Sequence, residues 1–195
     1  MQGLYFIFLA RLLGVREYGI FAGAFALVNI ITPYSSIGAS MLFMRYVTAD
    51  HATARTDWGN LLVTTAATTV PIAAILFFVG PLATSIHEPL IFVLLTFSNC
   101  FFQQIVVGAA SVFQTFEKMK WTAILSFLSN LARVTAVIAM RLVLHHSSVL
   151  EWCGAVLAVS ASTAIASEVV VRREIGRSSW DLRLIRRRLW EGCGF

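Results

Sequence analysis

The chain has 195 residues, 58% hydrophobic and 13% charged, with a formal net charge of +5 and a mean hydropathy of +0.78. An average soluble domain carries roughly a quarter of its residues as charges. The composition therefore excludes a soluble globular domain and predicts an all-α, polytopic membrane bundle. No basic segment precedes the first apolar stretch, and hydrophobicity recurs along the chain, so no cleavable signal peptide is expected and the helices themselves drive insertion.

A spanning helix needs about 20 largely apolar residues to cross about 30 Å of hydrocarbon. Met1 to Leu13 falls short of this, with about 20 Å of helix and Arg11 inside it, and reads as the second half of a span. A charged turn bracketed by Gly14 and Gly19 leads to five full spans, predicted at 19–44, 60–86, 89–116, 121–144 and 149–171. Between them lie a long polar loop (Arg45 to Gly59), a tight turn (His87 to Pro89), a charged turn (Glu117 to Lys120) and a short turn carrying His145 and His146. Residues 1–171 are thus expected to form one transmembrane bundle of about six helices in up-down order, the first truncated.

Positive residues near span ends favour the cytoplasmic side. Arg45, Arg55, Lys118, Lys120 and the seven arginines after residue 171 fall on one side, against Arg11, Arg16 and Arg141 on the other. This bias predicts a cytoplasmic N-terminus. The tail, "RREIGRSSWDLRLIRRRLWEGCGF" (172–195), places Trp180 and Leu184 along one side with Arg187 or Arg188, as in a basic amphipathic helix lying on anionic lipid. Tethering to a membrane argues against nucleic acid as its partner. Leu189 to Phe195 turn apolar again, like the start of a seventh helix.

Catalytic signatures are missing from the sequence. It contains no phosphate-cradling loop with its Lys, no metalloprotease helix motif and no Cys-x-x-Cys. Cys100, Cys153 and Cys193 are widely spaced and read as isolated thiols, while His51, His87, His145 and His146 are scattered over loops on both sides. The expectation is a non-enzyme without a metal or cofactor.

Polarity is instead arranged along helices. Asn29, Pro33, Ser36 and Ser40 share a face of the second helix by near i, i+4 spacing, and Asn99, Gln103 and Gln114 are placed together on the fourth. Ser126, Asn130 and Arg133 stand at i, i+4 and i+7 on the fifth, with Arg133 about 20 Å along the helix from Lys120, too deep for simple snorkelling. A guanidinium at that depth costs at least about 2.5–3.5 kcal/mol and needs a partner, the bundle interior or water. Amide and hydroxyl side chains on such faces also serve as interhelical glue. For Arg133 two readings stand: a functional cavity, or a buried pairing with Glu168, which lies near the cytoplasmic end of the sixth span. An arginine lining a cavity suits an anion, phosphate above all, while amides and hydroxyls suit sugar hydroxyls.

The stretch "LARLLGVREYGIFAGAFALVNIITPYSSIGASMLFMRYV" (9–47) carries Leu9-Ala10-Arg11, Leu13-Gly14, Tyr18-Gly19, Gly38 and Arg45 in order. In this it resembles the first helical hairpin of bacterial polysaccharide and O-antigen flippases of the Wzx type, within the multidrug/oligosaccharidyl-lipid/polysaccharide exporter superfamily. A second stretch, "FQTFEKMKWTAILSFLSNLARV" (113–134), is similar to the family's turn between its fourth and fifth helices. The resemblance implies two six-helix bundles facing a central cavity that opens alternately to each side of the bacterial inner membrane. The implied cargo is an undecaprenyl-diphosphate-linked oligosaccharide. It also implies that this chain is an N-terminal half, expected to be inactive without a C-terminal bundle. Candidate cavity residues are Arg133, Asn130, Ser126, Asn29, Asn99, Gln103, Gln114, Arg11 and Arg45, the last two read chiefly as interfacial anchors. The rival readings are a multidrug exporter of the same superfamily and a small membrane scaffold.

Overall fold

The computed structural model describes residues 2–35, 54–84, 86–143 and 148–176. Its helices are α1 (Gln2–Ile31), continued by a 3-10 turn (Thr32–Tyr34), α2 (Ala54–Thr84), α3 (Pro89–Thr96), a π-helical segment (Phe97–Phe102), α4 (Gln103–Thr115), α5 (Met119–Val143) and α6 (Val149–Ile175). Among the described residues there is no strand, and the fold is an all-α bundle. Among the described residues five stretches are long and apolar enough to cross a membrane: Phe6–Tyr34, Ala54–Thr84, Pro89–Thr115, Met119–Met140 and Val149–Ile175. Large apolar side chains such as Phe8, Ile30, Phe78, Leu82 and Ile165 point outward, as a lipid-facing surface requires.

The first of those stretches is folded back on itself. Gly14 takes φ 77° and ψ 170°, outside the helical region and open to glycine because it has no Cβ. The Phe6 and Phe25 rings, 19 residues apart, meet edge to face with centroids 6.3 Å apart; a straight helix would separate the two positions by about 28 Å. The reversal needs Gly14 alone. Gly19, expected as the second turn glycine, lies inside the helix, and the second leg starts before Arg16. That leg ends in the 3-10 turn containing Pro33, while Ser36, Ser40 and Arg45 lie outside the described residues.

Both ends of α6 are closed by side chains. At the start of α6, Ser148 and Glu151 form a reciprocal capping box, and Glu17 from α1 accepts a further hydrogen bond from the Val149 amide at 3.3 Å. At its end, Gly176 adopts φ 99° beneath the Arg55 guanidinium, whose Nε donates to the Ile175 carbonyl at 2.6 Å.

Two apolar clusters are stacked along the bundle. One joins Leu9, Phe21 and Val28 of α1 with Leu76, Phe92, Leu95, Met140 and Trp152. The other joins Trp58 and Leu61 of α2 with Val106, Val112, Phe113, Leu125 and Val171. Glycines permit close approach at both levels: a Cβ on Gly80 would sit 2.7 Å from the Phe92 ring, and one on Gly108 within 3.0–3.2 Å of Leu61 and Trp58. Between the clusters lies the π segment, and there the span changes neighbours. α3 packs mainly on α2, whereas α4 packs mainly on α5 and α6.

Candidate functional site

α4 and α5 run side by side from the Phe116–Lys118 turn, and a cavity of about 520 Å³ lies between them. Gln103 and Gln114 on α4 are eleven residues apart, close to three full turns, so both face the cavity. On α5 the stripe Ser126, Asn130, Arg133 forms the opposite wall. Eleven residues of helix on each side make a trough about 16 Å long. Gln114 and Thr122 stand at the end beside the turn, and Gln103 and Arg133 at the deep end.

Arg133 is met there by a neutral acceptor. Its Nη2 donates to Gln103 Oε1 at 2.8 Å. The pairing with Glu168 is not formed: that carboxylate accepts from Trp58 Nε1 at 2.7 Å and from Arg172 Nε at 2.6 Å. Gln103 thus accepts from the guanidinium without itself adding a negative charge to the trough wall. Along α5, Asn130 Nδ2 donates to the Ser126 carbonyl at 2.8 Å, and across the trough Thr122 Oγ1 reaches the Ala110 carbonyl at 3.3 Å. The wall thus combines one cation with amides and hydroxyls, a surface that can receive an anionic group together with a polyhydroxylated one.

Five of the nine candidate residues, Gln103, Gln114, Ser126, Asn130 and Arg133, line this one cavity. Asn99 does not: it is buried and its Nδ2 donates to the Leu95 carbonyl at 3.0 Å. Asn29 is exposed on the second leg of α1, and Arg11 is exposed near the Gly14 reversal, neither at the trough. Arg45 lies outside the described residues. Ser111, Thr122 and Ser129 also line the trough. Thr122 could have been read from the sequence, because it extends the Ser126–Asn130 series by one turn.

Cys100 and Cys153 are buried free thiols, and Cys193 lies outside the described residues, as do His51, His145 and His146. Among the described residues no group of three or more His, Cys, Asp or Glu side chains is placed to hold a metal ion.

No curated protein and no solved structure matches the chain. The family model described as "Polysaccharide biosynthesis protein" matches residues 1–195. The helices and this match together make the chain a multi-pass membrane protein, and it belongs to the polysaccharide biosynthesis protein family.

Proposed function

We propose that the chain works in the export step of polysaccharide or O-antigen synthesis, as a bundle of a flippase that carries an undecaprenyl-diphosphate-linked oligosaccharide across the bacterial inner membrane. The observation that carries this reading is the polar trough that ends at Arg133, a cation whose Nη2 is held by the Gln103 amide within the length of a membrane span. A diphosphate suits the guanidinium and the glycan suits the amide and hydroxyl walls. With Lys118 and Lys120 on the cytoplasmic side, the trough starts at the leaflet where an activated lipid precursor is assembled.

Alternating access needs a second bundle moving against this one, and the exposed Ser126, Asn130 and Gln114 mark the face it would meet. The basic tail adds contact with anionic lipid, and no role for nucleic acid is proposed. A multidrug exporter would favour a cavity-facing carboxylate, whereas Glu168 is occupied by Trp58 and Arg172 away from the trough. The chemistry is translocation, not catalysis.

Purified chain in nanodiscs, titrated with an undecaprenyl-diphosphate-linked oligosaccharide, tests the reading. Binding that weakens at least tenfold in Arg133→Ala is expected. Equal binding by both proteins, or preference for lipophilic cations over the glycolipid, would overturn it.

A further inference from the structure

Among the described spans only Pro89–Thr115 is broken by a π-helical segment. Its α-helix ends at Thr96, and the Gln103 amide returns to the Ser98 carbonyl, five residues back. An extra residue in a turn rotates everything downstream by about 100° relative to an uninterrupted α-helix. The consequence is visible in the amides. Asn99 and Gln103, four apart, would share a face in an α-helix; here Asn99 is turned into the bundle and Gln103 reaches Arg133 on α5. Gln104 is turned the other way, its Nε2 donating to the Thr32 carbonyl at 3.4 Å.

A π segment forfeits regular helical bonding, so it persists where surrounding groups over-determine it. Three other elements supply such groups. Thr69 of α2 donates to the Cys100 carbonyl at 3.1 Å, Ser160 of α6 shares a hydrogen bond with Ser98 at 2.8 Å, and Thr32 of the 3-10 turn contacts Cys100 Sγ at 3.6 Å. These partners are buried or half-buried and lie outside the trough.

We infer that Gln103 is the positioning residue for Arg133, and that the Phe97–Phe102 π segment, clamped by Thr69 and Ser160, sets it by turning the lower half of the span toward α5. Gln103 fixes one edge of the guanidinium without neutralising it, so the arginine is oriented before an anionic head group arrives. This inference rests on the reading of the trough as a diphosphate site.

The test is titration of the 195-residue chain in nanodiscs with farnesyl diphosphate, with inorganic pyrophosphate as a lipid-free competitor. Gln103→Leu is expected to weaken binding about tenfold, the scale of one hydrogen bond to a charged group, with an unchanged melting temperature. Gln103→Glu places a carboxylate against the guanidinium and is expected to weaken binding further at pH 7. Binding by this variant should recover as falling pH protonates the introduced carboxylate, a profile the parent lacks. Thr69→Val should weaken binding on its own yet add little to Gln103→Leu, since both act through one contact. Displacement of farnesyl diphosphate by pyrophosphate assigns recognition to the diphosphate itself; binding that pyrophosphate does not displace assigns it to the lipid-borne head group, and either result with the Gln103 dependence supports the inference. Gln103 variants that bind like the parent while Arg133→Ala fails would overturn the positioning role and leave the trough reading standing. Loss that tracks a lower melting temperature at every pH would overturn it as well, by making Gln103 merely structural. Parent-like binding by Arg133→Ala would remove the trough reading itself.

Discussion

Glu168 and Arg133 are both charges set within spanning helices, and the bundle treats them in opposite ways. Glu168 is enclosed: the buried Trp58 indole donates to one oxygen, and Arg172, one turn along the same helix, to the other. Trp58 in turn packs beside Gly108, and the surrounding cluster is closed by Val112, Phe113 and Val171. Arg133 meets an amide at the wall of an open trough. A charge satisfied by an opposite charge and a packed aromatic holds helices together, whereas a charge satisfied by a neutral acceptor keeps its field directed at the adjacent space.

The strongest attack on the enclosed side of this contrast is Trp58→Ala, which removes a fully buried ring and the indole hydrogen bond together. A loss of about 3–5 kcal/mol is expected in reversible unfolding in detergent. Glu168→Ala should cost less, about 1–3 kcal/mol, because the Trp58 N–H loses its acceptor while the ring stays packed; Glu168→Gln, which keeps an acceptor for the indole, should recover part of that loss. On the open side, Arg133→Met should cost less than Glu168→Ala, since Gln103, the acceptor it leaves, carries no charge and a costly intramembrane cation is removed. The same substitution should abolish glycolipid binding. An Arg133→Met protein as unstable as Glu168→Ala would erase the distinction between the two charges.

The α5 wall of the trough was legible because α5 is an uninterrupted α-helix from Met119 to Val143, so spacing of i, i+4 and i+7 placed Ser126, Asn130 and Arg133 on one face. The α4 wall was legible only below the π segment. Gln103 and Gln114 keep α-helical phase with each other, but grouping Asn99 with them assumed a regular period that the π segment interrupts. The hairpin was visible in Gly14, whose φ few other residues adopt readily. Gly19 was a false second mark, since a glycine tolerated inside a helix looks the same in sequence as one required by a turn. Arg11 and Asn29 share the chemistry of the trough residues but are carried by α1, which does not border it.

Composition, hydropathy and helical period by themselves determined that this is an all-α membrane bundle, that its first segment turns back near Gly14, and that α5 carries a polar stripe ending in a deep arginine. These are local properties, set by residues within a few turns of one another. Tertiary structure alone decided what faces that stripe. Gln103, 30 residues from Arg133, is brought to it by a π segment clamped from α2 and α6, and Glu168 is withheld from it by Trp58, 110 residues away. Such pairings depend on how helices are rotated and packed against one another, and a single helix's spacing does not encode that rotation.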